Sequence, residues 1–187
     1  ALGHDLGHTP FGHIGEDELD KLQPNGFRHS HQSLRIVDHI EKDGEGLNLT
    51  MEVRQGIVSH SKPRGDFLNS SLTNGLTLEG QICRISDAVA YLNHDLADAF
   101  RAGVLEEKDL PLEVVKTLGT RHSQRVNSMV SDIVESSWAT TGLLGVNPKD
   151  PPQISMSPQA AKSVHVLREF MFRRVYEPED KGKDGQA

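Results

Sequence analysis

Residues 77–101 read TLEGQICRISDAVAYLNHDLADAFR, and this stretch decides the fold. Thr77 can cap the run, and Ile82, Ile85, Val89, Leu92, Leu96 and Phe100 recur at helical spacing. With Asp87 set at zero and an advance of about 100° per residue, Tyr91 falls near ~40°, Asp95 near ~80°, His94 near ~−20° and Asp98 near ~20°. Ile85, Val89, Leu92 and Leu96 fall at about 140–200°, so polar and apolar stripes oppose each other. On pattern alone, such a polar stripe is most simply a solvated helix face. Two features point the other way. The stripe is acidic and aromatic with no lysine, and Ala88, Ala90, Ala97 and Ala99 flank it. Small flanking residues would admit a partner helix or a ligand, and Asp87 is a candidate carboxylate for a site assembled from separate segments.

Helical punctuation continues on both sides of this run. Residues 1–8 read as the end of a helix, and Thr9-Pro10 as the N-cap and first position of another, through Leu22. Ser30 can cap a helix to about Asp43, stopped by Gly44, and Thr50 one to about Ser61. A short helix from Pro111 to Leu118 is closed by Gly119. The next, about 121–141, carries Val126, Met129, Val130, Ile133 and Val134 on one side. Ser157-Pro158 opens the last, through Tyr176, with Ala161, Val164, Leu167, Met171 and Val175 inward. Residues 62–76 read as a loop and 143–158 as a proline-rich connector. No segment alternates with period two. The expected fold is therefore all-α, with about seven to eight helices and no substantial sheet. One domain is expected over 1–176, and a polar, disordered tail over 177–187.

The composition narrows the class. At 187 residues, 35% hydrophobic and 25% charged, the chain is long enough for one real core. A net charge of −7 argues against a broad nucleic-acid or anionic-membrane surface, so nucleic acid is a possible partner that nothing indicates. No apolar run approaches a membrane span. Cys83 is the only cysteine, reads as a small core residue, and suits a reducing cytoplasm.

The histidines carry the chemistry. Ten is high for this length, and they crowd the beginning: ALGHDLGHTPFGHIGE at 1–16 contains three of them with an aspartate and a glutamate. His4 and Asp5 diverge too far on a helix to stack, yet they can flank one ion, and mixed N/O donors suit Mn²⁺, Fe²⁺, Zn²⁺ or Ni²⁺. His8 follows His4 by four residues. His13 and Glu16, at i and i+3, can touch, and a carboxylate on an imidazole fixes its tautomer for acid or base work. A bare His-Asp pair is common. Gly7, Gly12 and Gly15 beside these groups are more telling, because each weakens a helix and is explained by close backbone approach. HDLGH approximates the spacing of zinc proteases, but Asp stands where their Glu does and Thr9-Pro10 ends the helix at once.

HDLGHTPFGHIGE, then GFRHSHQSLRIVD, then RISDAVAYLNHDLADAFRAG together resemble the HD-domain deoxynucleotide triphosphohydrolases, the dGTPase-like family. LNLTMEVRQGIVSH and RVNSMVSDIVESS extend the likeness over most of 1–140. The resemblance implies an α-helical HD fold and a divalent metal, Mn²⁺ or Mg²⁺, held by His4, Asp5 and Asp87. It implies that His13, supported by Glu16, is the catalytic acid/base, that His8 and His29 line the phosphate side, and that Tyr91 and Asp95 meet the deoxyribose. The implied reaction is dNTP plus water to deoxynucleoside and tripolyphosphate. Homo-oligomers and a dNTP effector are implied as well. Lys62, Arg64, Arg121 and Arg125 are candidates for cradling phosphates. The family's further metal-binding His lies upstream of the HD pair, and its members extend past the last helix. The sequence is therefore expected to be a fragment, a cleaved product or a chain without its beginning, with weak metal retention and little turnover as it stands. Another HD phosphohydrolase, such as a nucleotidase or cyclic-nucleotide phosphodiesterase, and a non-catalytic nucleotide-sensing module are the competing readings.

Overall fold

The computed structural model describes residues 2–61, 75–143 and 152–176. Among them the regular structure is helical: α1 Gly12–Leu22, α2 His29–Arg35, α3 Met51–Val58, α4 Leu78–Arg101, α5 Leu112–Leu118, α6 His122–Ser137 and α7 Pro158–Met171. No strand occurs among the described residues, as the missing period-two pattern predicts. The tail 177–187, most of the loop at 62–76 and the middle of the connector at 143–158 lie outside the described residues.

Where a cap and an unbroken apolar period coincide, sequence and structure agree. Thr77 Oγ1 accepts from Gly80 N at 3.2 Å at the head of α4. Ser157 Oγ accepts from Ala160 N at 3.2 Å and donates to Asp132 Oδ1, so α7 is both capped and tied to α6. α5 stops at Gly119, whose φ of 98° suits glycine. Elsewhere the expectations need correction. Residues 2–7 form successive turns with i→i+3 bonds rather than a helix end. Thr9 does not cap α1; its hydroxyl donates to Gly12 O at 2.8 Å, and the helix starts after a left-handed Phe11. The Ser30 helix starts at His29 and loosens into a π-turn, Ile36–Ile40, before Gly44. Ile82, Val130 and Val134, expected inward, are exposed.

The chain divides into two compact units, Ala1–Asp87 and Ala88–Ala187. The second has an ordinary apolar core, with Leu96, Val114, Leu118, Met129, Val164, Leu167 and Met171 buried, and α5 packs on α6 and α7. The first is different. Beside Val37, Ile57, Cys83 and Ile85 it buries Glu16, His29, Ser30, Ser33, His60, Gln81 and Arg84. Burying ionisable groups is costly unless each finds a partner, so this unit gives up apolar packing for a polar network.

Candidate active site

The network begins at the turn that carries His4 and Asp5. Ser33, fully buried on α2, donates its hydroxyl to His4 O at 2.6 Å and accepts from Gly7 N at 2.9 Å. One side chain thus fixes the turn at two points. Gly7 makes the approach possible: a Cβ there would lie 2.4 Å from Ser33 N and 2.6 Å from His29 O. The close backbone approach expected of the glycines is present at Gly7 and Gly15, whereas Gly12 has open space and a positive φ of 60°.

Held this way, His4 Nε2 lies 3.3 Å from Asp5 Oδ2 and 3.5 Å from Asp87 Oδ1. The three residues expected to hold a metal therefore converge from the turn and from α4. Two donors each about 2.1 Å from one ion sit about 3.0–3.4 Å apart. The spacing and the mixed imidazole and carboxylate donors fit a divalent transition metal.

A second set of donors lies on the other side of Asp5. His60 Nε2 is 3.3 Å and His29 Nε2 3.6 Å from Asp5 Oδ1, and the two nitrogens are 3.1 Å apart. His60 Nδ1 donates to Ile57 O at 2.7 Å, and burial, the largest influence on the ring, lowers its pKa. Arg84 holds the segment on α4 by donating to the carbonyls of Ser59 and Ser61, on either side of His60. Sequence reasoning missed His60 and Ser33. A lone histidine just beyond a short helix carries no spacing signal, and its partners come together only in the fold.

Glu16 is the hub of the third group. Its carboxylate accepts from His29 N at 2.8 Å, from His29 Nδ1 at 3.0 Å and from His13 Nδ1 at 3.2 Å. Burial pushes its pKa up, but these donors outweigh it and hold the carboxyl at about 2. His13 is largely exposed, whereas His29 is buried and its ring stacks on His8 with centroids 4.6 Å apart. Of the two histidines expected on the phosphate side, His8 is the more accessible, and His29 turns Nε2 toward Asp5 and His60. His8, His13 and His29 bring donor atoms within 4.8 Å of one another, as do His4, Asp5 and His60.

Tyr91 and Asp95 belong to the second unit. The Tyr176 hydroxyl donates to Asp95 Oδ2 at 2.5 Å, and the Tyr176 ring stacks on Tyr91 at 6.2 Å. Both stand on the polar stripe that the helix angles predict, with Tyr91 exposed and Asp95 half-buried. Arg125 is not a phosphate group in waiting: it is 1% exposed and donates to Thr120 O and Asn93 Oδ1. Arg121 is exposed at the head of α6, and Lys62 and Arg64 lie outside the described residues.

Residues 1–92 match the family model for the HD domain. The match includes the His-Asp pair at 4 and 5. The chain is similar to proteins called deoxyguanosinetriphosphate triphosphohydrolase-like. It is 46% identical to one from Caldanaerobacter subterraneus subsp. tengcongensis, covering 94% of this chain and 46% of that protein. It is 43% identical to one from Clostridium tetani, covering 94% and 48%, and 34% identical to one from Geobacter sulfurreducens, covering 94% and 54%. The chain spans about half the length of the curated relatives it matches. No helix among the described residues is long and apolar enough to cross a membrane.

Proposed function

We propose that the protein hydrolyses deoxynucleoside triphosphates, dGTP among them, to the deoxynucleoside and tripolyphosphate with the help of a divalent metal ion. The observation that carries this reading is the convergence of His4 Nε2, Asp5 Oδ2 and Asp87 Oδ1 in the unit that also holds the His13–Glu16 pair. The names of the curated relatives support the nucleotide class.

His4, Asp5 and Asp87 would hold the ion, which supplies Lewis acidity at the α-phosphate and lowers the pKa of a water. Water oxygen bonds to the α-phosphorus as the bond to O5′ breaks, and the one proton that the water gives up is matched by the one that O5′ takes. Glu16 holds His13 Nδ1–H, which leaves Nε2 to carry that proton to O5′. Because Glu16 stays ionised down to about pH 2, it can accept the His13 Nδ1 hydrogen at every working pH. His8 donates toward the phosphates from above His29. Tyr91 and Asp95 follow Asp87 by one and two helical turns on α4 and are the proposed deoxyribose contacts, the ring of Tyr91 disfavouring a 2′-hydroxyl. A cytoplasmic homo-oligomer with a dNTP effector completes the proposal, on the strength of the family resemblance.

The test is a product assay of the full-length protein with each dNTP and Mn²⁺ or Mg²⁺, read by ³¹P NMR. Tripolyphosphate is the expected product. Orthophosphate or pyrophosphate would move the protein to another class of HD phosphohydrolase, and nucleotide binding without turnover would make it a sensing module. His13→Ala should lower kcat by at least about 10²-fold with an unchanged far-UV circular dichroism spectrum. Unchanged turnover would remove His13 from the mechanism.

A further inference from the structure

Arg84 is buried at 6% exposure, and burial lowers its pKa with no acidic partner offsetting the effect. Its Nη1 donates to the carbonyls of Ser59 and Ser61 at 3.3 and 3.4 Å. Nε and Nη2 are buried without a hydrogen-bond partner. A guanidinium carries its N–H donors in a planar fork, and much of this fork is unspent. A buried cation with unmet donors is destabilising, because neither water nor a carboxylate replaces its lost hydration. Arg125, also buried, is a contrast. It spends Nε on Asn93 Oδ1 and Nη1 on Thr120 O, and the Phe100 ring lies 6.0 Å from its guanidinium carbon.

The place of Arg84 gives its donors a use. It precedes Asp87 by three residues on α4, so the two are neighbours on one helix face, about 4.5 Å apart along the axis. The carbonyls it touches flank His60, whose Nε2 is 3.3 Å from Asp5 Oδ1. Contacts run from His13 to Glu16, on to His29 and then to His60, and Arg84 stands at the end remote from His13. The proposed reaction delivers O5′ to His13, while the β- and γ-phosphates extend from the α-phosphorus through a different oxygen.

We propose that Arg84 binds the β- and γ-phosphates of the substrate, and hence the tripolyphosphate product, through Nε and Nη2. The proposal rests on the triphosphohydrolase reading of this site. A planar fork matches two phosphate oxygens at once. Without the anion, the side chain leans on two carbonyls at distances beyond the usual N–H···O range. Those contacts cost little to give up when the fork turns to the phosphates.

The test is calorimetric titration of the full-length protein with tripolyphosphate, orthophosphate and deoxyguanosine. Wild type should bind tripolyphosphate more tightly than orthophosphate. Arg84→Gln keeps a donor for the Ser59 and Ser61 carbonyls and removes the charge. It should lose tripolyphosphate affinity by roughly ten- to hundredfold, the range of hydrogen bonds to a charged group, with deoxyguanosine affinity unchanged. Arg84→Lys should recover part of the loss, since an ammonium pairs with phosphate as a point charge. In steady-state hydrolysis Arg84→Gln should raise KM for dGTP more than it lowers kcat. A direct reading comes from wild type alone, so no variant's folding decides the outcome: the nuclear magnetic resonance signal of Arg84 Nε–H should shift with tripolyphosphate and stay in place with deoxyguanosine. An unmoved signal, or equal losses for all three ligands in Arg84→Gln, overturns the proposal and leaves Arg84 as a brace for the end of α3. A shifted signal without dNTP hydrolysis would refute the proposed reaction and leave the phosphate site standing.

Discussion

Glu16 shows how one residue can serve several others. It is the only buried side chain of α1, whose Ile14 and Leu22 are exposed, as is Phe11 just before it. The helix is therefore held by a carboxylate among histidines rather than by an apolar face. The energetic consequence has a defined sign. The folded pKa of about 2 lies below the ordinary 4.5, so the stabilisation is complete above about pH 4.5 and disappears as pH falls through about 2. Glu16→Gln should lower stability at pH 7 by about 2 kcal/mol, the range of hydrogen bonds to a charged group. In urea titrations of the metal-free protein, the gap between variant and wild type should close between pH 4.5 and 2. A gap that stays constant over that range would show that the carboxylate's charge is not what holds α1. The spacing of His13 and Glu16 predicts their contact, and the structure contains it. The second partner, His29, comes from another segment, and no local spacing in the sequence announces it.

At the scale of elements, the clearest lesson lies in the turn at residues 2–7. Its i→i+3 bonds share short-range spacing with a helix, so HDLGH reads as helical, while its actual shape is imposed by Ser33 and α2. α4 was legible to its ends because Thr77 caps it and an apolar residue recurs at nearly every turn. α1 was misplaced because Thr9 bonds a carbonyl rather than the free N–H groups of the first turn. The convergence of His4, Asp5 and Asp87 was foreseen through the family resemblance. The angular pattern alone allowed a plain solvated face. Two glycine variants separate the physical reasons behind the turn. Gly12→Ala meets no neighbour and carries only the strain of a positive φ, about 1 kcal/mol. Gly7→Ala drives a methyl into the α2 backbone at 2.4 Å, where no flexible side chain can yield. It should cost more than about 3 kcal/mol and weaken Co²⁺ binding by moving both His4 and Asp5. Denaturation midpoints and Co²⁺ titrations of the two variants measure this, and equal losses would sink the idea that α2 shapes the turn. A further case is Arg125→Ala, which removes a buried cation from Asn93 and Thr120 in the second unit. About 2–4 kcal/mol of destabilisation is expected, with unchanged affinity for Co²⁺; a loss of metal affinity at unchanged stability would contradict its structural role.

At the scale of the whole molecule, the division of labour between the two units yields a last prediction. Every residue proposed to hold the metal, namely His4, Asp5 and Asp87, lies in the unit Ala1–Asp87. Ala88–Ala187 instead has an apolar core that needs no ion. A ligand that binds only the folded state stabilises by mass action, about 2.7 kcal/mol at a hundredfold excess over Kd. That free energy should therefore appear as slower opening of the first unit. Hydrogen exchange followed by mass spectrometry, with and without Mn²⁺, resolves the two regions. Peptides covering residues 2–8, α2 and 57–60 should gain protection on adding the ion, and those of α5, α6 and α7 should change little. The site geometry explains the expected direction: the Asp5 and Asp87 carboxylates flank His4 within 3.5 Å, and an ion among them would tie the turn at residues 2–7 to α4. Equal protection throughout α5, α6 and α7 would mean that the two units open together. Protection confined to those helices would contradict the assignment of the donors.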